Sequence, residues 1–217
     1  MPRTSSDTRL IVFTKAPNPG AVKTRLIPLL GEAGAAALHR RLIERTLAVA
    51  RAAAVGPVEL HGAPDASDPF LGECAQRYGA LLTSQVPGNL GARMAAAMEQ
   101  TLSSARYAIL IGTDCPVLNA GHIREARDAL AAGAHAVFAP AEDGGYALIA
   151  LARCDRRLFR RVAWGEASVM NQTRKRLSQL GWRWRELETV WDVDRPEDYQ
   201  RLAALHLLRK DNALIPG

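Results

Sequence analysis

The chain has 217 residues, 48% of them apolar and 23% charged, with a formal net charge of +6; it is long enough for one large core and too short for two comfortable ones. These are globular values, and no apolar run approaches the roughly 20 residues that span a bilayer. The positive charge suits nucleic acid and small phosphorylated substrates equally, but there is no basic run, RNA-binding signature or interleaving of aromatics with cations, so nucleic acid is not an expected partner.

The first nine residues are polar and lack an apolar core, which argues against a secretory leader; the cytoplasm is the expected compartment. A single domain is expected over residues 9–208, with tails at 1–8 and 209–217. Cys74, Cys115 and Cys154 are odd in number, widely separated and without a CxxC pair, and so read as reduced thiols. His39, His61, His122, His135 and His206 show no ligand spacing and read as packing or surface residues.

Residues 10–13, Leu-Ile-Val-Phe, form an apolar run short enough for a buried strand. It stops at a loop punctuated by Pro17, Pro19 and Gly20, where no regular element continues. Around that loop stand Lys15, Lys23 and Arg25, with the hydroxyls of Thr14 and Thr24. Close backbone approach at Gly20, point charge from lysine and a two-pronged donor from arginine suit a nucleotide diphosphate. A Walker loop is rejected because Val22 stands where glycine must precede the lysine, and a dinucleotide fingerprint because Gly20 is alone. A surface turn with solvated cations would look the same from this stretch alone.

Residues 31–54 carry Leu38, Leu42, Ile43, Leu47, Val49 and Ala50 near helical spacing, with Arg40, Arg41, Glu44 and Arg45 mainly on the wet side. Gly56 and Pro57 end that helix. A strand is expected at 58–61, a helix at 69–78 stopped by Gly79, a strand at 81–83 and, after a loop at 85–91, an alanine-rich helix from about 92 to 102. The wholly apolar run 107–111 reads as an interior strand of a parallel sheet covered on both faces. A helix at 120–132 follows, then strands at 136–140 and 146–151 whose spacing suits a hairpin. A basic helix at 168–180, an alternating strand at 182–187 and a last helix at 196–208 complete the chain. The expected fold is α/β, a three-layer α/β/α sandwich with a mostly parallel, mixed central sheet. In such sheets ligands sit beyond the carboxyl ends of the strands, where strand order reverses.

Asp114 lies directly after the interior strand, between Gly112 and Pro116. A carboxylate there can hold Mg²⁺ or Mn²⁺, or cap the helix that follows. Asp192 and Asp194 are candidates for the second metal ligand, one of the two being expected to face the ion; Asp194 with Glu197 also resembles a helix cap. In the loop 141–145, Glu142 and Asp143 are candidate catalytic bases or hydroxyl ligands, Gly144 and Gly145 permit close approach, and Tyr146 can stack or hydrogen-bond. Trp164 reads as a lid over a ligand or as an anchor for the next helix. Cys115 has no histidine at a spacing that would make it a nucleophile.

These segments, together with Leu90-Gly91 and Arg93-Met94, and Asp192-Val193-Asp194 with Pro196-Glu197-Asp198, occur in one order along residues 9 to 205. The chain resembles the radical-SAM and selenodomain-associated transferase family, a branch of the nucleotide-diphospho-sugar transferase superfamily with the glycosyltransferase A fold. One departure is Gly165-Glu166-Ala167, where that family more often carries a hydroxyl residue after the tryptophan. The resemblance implies a nucleotide-sugar site with a divalent ion at Lys15, Lys23, Arg25 and Asp114, with Thr14, Gly20 and Arg93 beside them. It implies an acceptor side formed by residues 142–146 and Trp164. The expected activity is metal-dependent transfer of a sugar from a nucleotide sugar to a small acceptor. The alternative, on the same fold, is a guanylyl- or cytidylyltransferase that takes a nucleoside triphosphate and releases pyrophosphate.

Overall fold

The sheet grows outward from β1 (Thr8–Lys15), in which Leu10, Ile11 and Val12 are wholly shielded from solvent. The computed structural model describes residues 7–205 and 207. The strand is longer than its apolar run because its polar ends find partners that periodicity does not reveal. Thr8 and Arg9, expected at the edge of the tail, pair with Tyr107 and Ala108 of β4 (Tyr107–Gly112), and Arg9 meets the Glu59 carboxylate at 2.8 Å.

β1 is followed by a 3-10 turn (Thr24–Leu26) and α1 (Ile27–Ala53), then β2 (Val58–Ala63), α2 (Pro69–Tyr78), β3 (Leu81–Ser84) and α3 (Leu90–Leu102). After β4 come α4 (Ala120–Ala131), β5 (Ala136–Pro140), β6 (Tyr146–Leu151), a 3-10 turn (Arg156–Leu158), α5 (Val169–Gln179), β7 (Trp184–Glu186) and α6 (Pro196–Ala204). Gly31 has φ +69° and ψ 168° and breaks α1, so the continuous helix begins where the sequence places it. α3 starts at Leu90, two residues early, because Asn89 caps it by accepting from Ala92 N. The expected last helix ends at Ala204; residues 206 and 208 of that expectation lie outside the described residues.

Strand order is β3-β2-β1-β4-β6-β5-β7. β6 alone among the described strands runs against the rest: the β5–β6 hairpin folds back so that β6 lies between β4 and β5. β7 then pairs parallel to β5 on the far side, through Val137 and Arg185 among others. Side-chain alternation splits the sheet into two apolar layers. Leu10, Val12, Ile109 and Ile111 pack toward α1, α2 and α4, while Ile11, Leu110, Phe138 and Ile149 pack toward α3 and α5. A third cluster, Leu26, Leu38, Leu42, Trp191, Val193 and Leu202, fastens α6 to α1. Truncating a wholly buried core residue such as Ile109 to alanine costs about 2–5 kcal/mol. Among the described residues, no helix is long and apolar enough to cross a membrane.

Candidate active site

β1 and β4 are neighbours in the sheet, yet β1 leads away toward β2 and β3 while β4 leads toward β6 and β5. Their carboxyl ends therefore open a crevice at the point where strand order reverses. Its volume is about 460 Å³, and its walls include Lys15, Arg93, Asp114, Asp143, Tyr146 and Asp192.

The loop after β1 is held across the crevice by Lys23. That residue has φ +49°, a left-handed backbone that a side chain rarely adopts. Its ammonium pairs with the Asp114 carboxylate and donates to Val193 O at 2.6 Å. The lysine side chain is only 5% exposed, whereas that of Asp114 is 52% exposed, so the carboxylate stays open to the crevice while the lysine is sealed behind it. Desolvation pushes the Asp114 carboxyl up, but the charge and hydrogen bond of Lys23, with weaker contributions from His39 and Lys15, together outweigh it, and the group is held below the ordinary carboxylate range. The following helix is capped by Asn119 and His122, which leaves Asp114 without a capping role.

Asp192 faces the same space. Burial, then the negative charge of Asp143 and more weakly that of Asp114, pushes its carboxyl up to about 6. Asp194 does not line the crevice; it accepts from Arg25, which is likewise outside it. The expected cap at Asp194 also differs: Asp198 reaches back to accept from Asp194 N at 3.0 Å and Arg195 N at 2.7 Å.

The two candidate bases of the β5–β6 loop point different ways. Asp143 lines the crevice, oriented by Gly145 N, which donates to its Oδ1 at 2.8 Å. Glu142 is turned outward onto Arg201, 2.9 Å from its Oε2. Gly144, at φ +89°, passes so close to Ala167 O that no side chain fits. Trp164 is both lid and anchor: it lines the crevice, meets Tyr146 edge to face at 6.3 Å, and packs on α3 where only Gly91 leaves room. Gly20, at φ +77°, is exposed at the loop tip beside Glu32 and does not reach the crevice.

Residues not expected from the sequence complete the walls. His39 of α1 is buried, its Nε2 3.2 Å from Lys15 O and 3.4 Å from Thr14 Oγ1. Burial lowers its pKa, so the ring is neutral near pH 7. Gln85 ties three elements together, donating from Nε2 to Thr14 O at 3.0 Å and His61 O at 2.8 Å, and accepting from Arg93 Nη1 at 3.0 Å. Thr113 also lines the crevice, as does Met94 of the Arg93-Met94 pair noted in the sequence. Nothing in the local sequence marks His39 or Gln85, because their places depend on how α1 and β3 pack. Cys115 is buried, and that burial pushes its thiol up to about 11, the opposite of an activated nucleophile.

Comparison with known proteins adds three solved structures and a family. A protein from Desulfovibrio desulfuricans G20, provisionally described as a nucleotide-diphospho-sugar transferase, is similar at a TM-score of 0.80 and 26% identity, over 95% of this chain and 96% of that one. A CMP:2-keto-3-deoxy-manno-octonic acid synthetase complexed with CTP is similar at 0.58 and 13% identity, over 93% and 98% of the two chains. The Rv0371C protein of Mycobacterium tuberculosis H37Rv, in complex with manganese, is similar at 0.52 and 18% identity, over 90% and 97%. At such identities the last two bear on the fold alone. The fold is that of nucleotide-diphospho-sugar transferase-like structures. No curated protein matches the sequence. A family model matches residues 46–166, a span that takes in Asp114, Asp143, Tyr146 and Trp164. With more than half of its length so matched, the chain belongs to the DUF2064 family, described as an uncharacterized protein conserved in bacteria.

Proposed function

We propose that the protein is a transferase that binds the diphosphate of a nucleotide sugar with the help of a divalent cation and moves the sugar to a small acceptor. The observation that carries this reading is the meeting of Lys15 with Asp114, Asp143 and Asp192 at one crevice, where Lys23 fixes Asp114 from behind the wall. Among the described residues, no three His, Cys, Asp or Glu side chains are grouped to cage a metal. A closed cage is not what a Mg²⁺ or Mn²⁺ shared with substrate needs: one or two carboxylates suffice, the other ligands being phosphate oxygens and water. Asp114 and Asp192 suit that donor set, and Asp192, whose carboxyl is pushed up first by burial and then by the negative charges of Asp143 and Asp114, stands where carboxylates crowd. A cation there would supply Lewis-acid stabilisation of the charge on the departing nucleotide.

The chain's own residues supply the rest. Lys15 has no ion-pair partner among the described residues and is left to neutralise phosphate, while Lys23 fixes the loop and the orientation of Asp114. Asp143, already aligned by Gly145 N, would take the proton of an acceptor hydroxyl. Tyr146 and Trp164 would pack the acceptor, and Arg93, anchored by Gln85, would donate to it or to the sugar. Glu142, Arg25, Asp194 and Gly20 take no part in this reading. It treats residues 9–208 as one domain acting in the cytoplasm without nucleic acid, and it keeps the kinship with radical-SAM and selenodomain-associated transferases as a proposal.

A second reading has the same cations hold a nucleoside triphosphate, and the fold shared with a CTP-bound synthetase speaks for it. The test is a thermal-shift screen of UDP-, GDP-, ADP- and CDP-sugars and of GTP and CTP, with and without Mn²⁺, followed by product analysis. Stabilisation by a nucleotide sugar that needs Mn²⁺, with nucleoside diphosphate as product, supports sugar transfer. Pyrophosphate release from GTP or CTP supports the second reading. No metal-dependent stabilisation by any of them counts against both.

A further inference from the structure

Away from the crevice, the segment between β6 and α5 gathers arginines. Arg156 is neutralised by Glu99 and Arg157 by Asp155, each at 2.7 Å, but Arg160 and Arg161 make no ion pair with a described residue. A hollow of about 360 Å³ lies here, lined by Arg157, Arg160, Arg161, Arg176, Gln179 and Leu180. No residue lines both it and the crevice, and no carboxylate lines it.

Two details show that the hollow is built rather than a chance crowd of solvated side chains. Arg176, projecting from α5, donates from Nη2 to Arg161 O at 2.9 Å, while its Nη1 is sealed from solvent and has no acceptor among the described residues. Arg161 is held at φ +53°, a left-handed backbone that a non-glycine residue adopts only where its surroundings impose it. Guanidinium groups carry only donors, and beyond the bonds of Arg157 to Asp155 and of Arg176 to Arg161 O the hollow offers more N–H groups and positive charge than acceptors. Water can accept those hydrogen bonds but cannot offset the three charges, on Arg160, Arg161 and Arg176, that have no ion-pair partner among the described residues. A tetrahedral oxyanion does both, since its oxygens match the guanidinium fork.

We propose that this hollow is a binding site for a phosphate-bearing ligand of at least two negative charges, distinct from the candidate active site. The ligand is either a free phosphate compound or a phosphate headgroup at a lipid surface; the chemistry at the arginines is the same.

The experiment follows the arginine Nε–Hε resonances of the intact protein during titration with pyrophosphate, with Arg93 reporting separately on the crevice. Arg160 and Arg176 are expected to move on one saturating curve with a Kd of about 1 mM or tighter. Arg160→Gln, which removes an exposed guanidinium without an ion pair, should raise that Kd at least about tenfold, whereas Arg127→Gln, an equal loss of charge on α4, should leave it unchanged. In parallel, the protein is sedimented with phosphatidic acid and with phosphatidylcholine vesicles. Capture by phosphatidic acid alone, lost in Arg160→Gln, with no saturation by free pyrophosphate, assigns the site to a lipid headgroup. If only Arg93 responds, or if Arg160 and Arg176 drift without saturation as they do with sodium chloride and phosphatidic acid captures nothing, the proposal is overturned.

Discussion

Lys23→Met removes the ammonium and keeps the apolar stem. In the wild type the charge sits on Asp114 and Val193 O from a side chain that is 5% exposed, facing a carboxylate that is 52% exposed. Breaking a fully buried pair costs about 3–5 kcal/mol and an exposed one about 0–1. Asp114 can recover hydration from the crevice, so a loss of about 2 kcal/mol is expected, which for a chain of this length lowers Tm by roughly 4–8 °C. Metal binding should move the other way. The ammonium repels a dication beside Asp114 by an amount on the order of 1–2 kcal/mol at a partly wet site, so Mn²⁺ alone should bind the variant about tenfold more tightly. Urea unfolding and calorimetric Mn²⁺ titration measure the two effects independently. A variant that is less stable and also binds Mn²⁺ more weakly would refute the view that Lys23 and the metal compete for Asp114.

Gly91→Ala should force Trp164 off α3, because the added carbon would meet the indole and lie 2.6 Å from Phe159 O; the cost is about 1–3 kcal/mol, read as urea unfolding together with a red shift of tryptophan emission. An unshifted spectrum would place the indole elsewhere. Glu59 is held below its ordinary carboxylate range by the hydrogen bond with His61 and then by that with Arg9. Its folded pKa lies below its unfolded one, so its contribution is complete above the unfolded value of about 4.5 and fades as pH falls through the depressed value. The stability gap between wild type and Glu59→Gln, about 2 kcal/mol at pH 7, should therefore close only on the acid side; a gap that persists unchanged there would mean the carboxylate is not what stabilises. Cys115, buried and with its thiol pushed up to about 11, should resist iodoacetamide at pH 7 until the protein is unfolded, and rapid labelling of the native state would contradict its assignment as a packing residue.

The layers of the fold were legible because apolar runs such as 107–111 occur only where a strand is covered on both faces. The insertion of β6 between β4 and β5 was not, since hairpin spacing fixes that two strands pair but not which side the second one takes. The loops carrying Lys15, Asp114, Asp143, Tyr146 and Trp164 were legible as places where the chain leaves the sheet, and the structure brings those residues to one crevice. Side-chain direction was harder to read. Of Asp192 and Asp194 one was expected to face the ion, but which one was not legible: Asp192 enters the crevice and Asp194 turns to Arg25, since residues 191–194 form no strand in which residues two apart would share a face. Glu142 and Arg25 were drawn to Arg201 and Asp194, partners far away in sequence. His39 reaches the site only through the packing of α1 against β1.

The account rests on a metal-bound diphosphate lying between Lys15 on one side and Asp114 and Asp192 on the other, with Lys23 holding Asp114 from behind. Its most direct test is the relaxation of the ³¹P signals of a bound nucleoside diphosphate by Mn²⁺, in the wild type and in Asp114→Asn. Both phosphates should relax strongly in the wild type, and that enhancement should vanish in a variant whose unfolding curve shows it to be folded. Equal relaxation in the two proteins would contradict the account, because the cation would then not be held at Asp114.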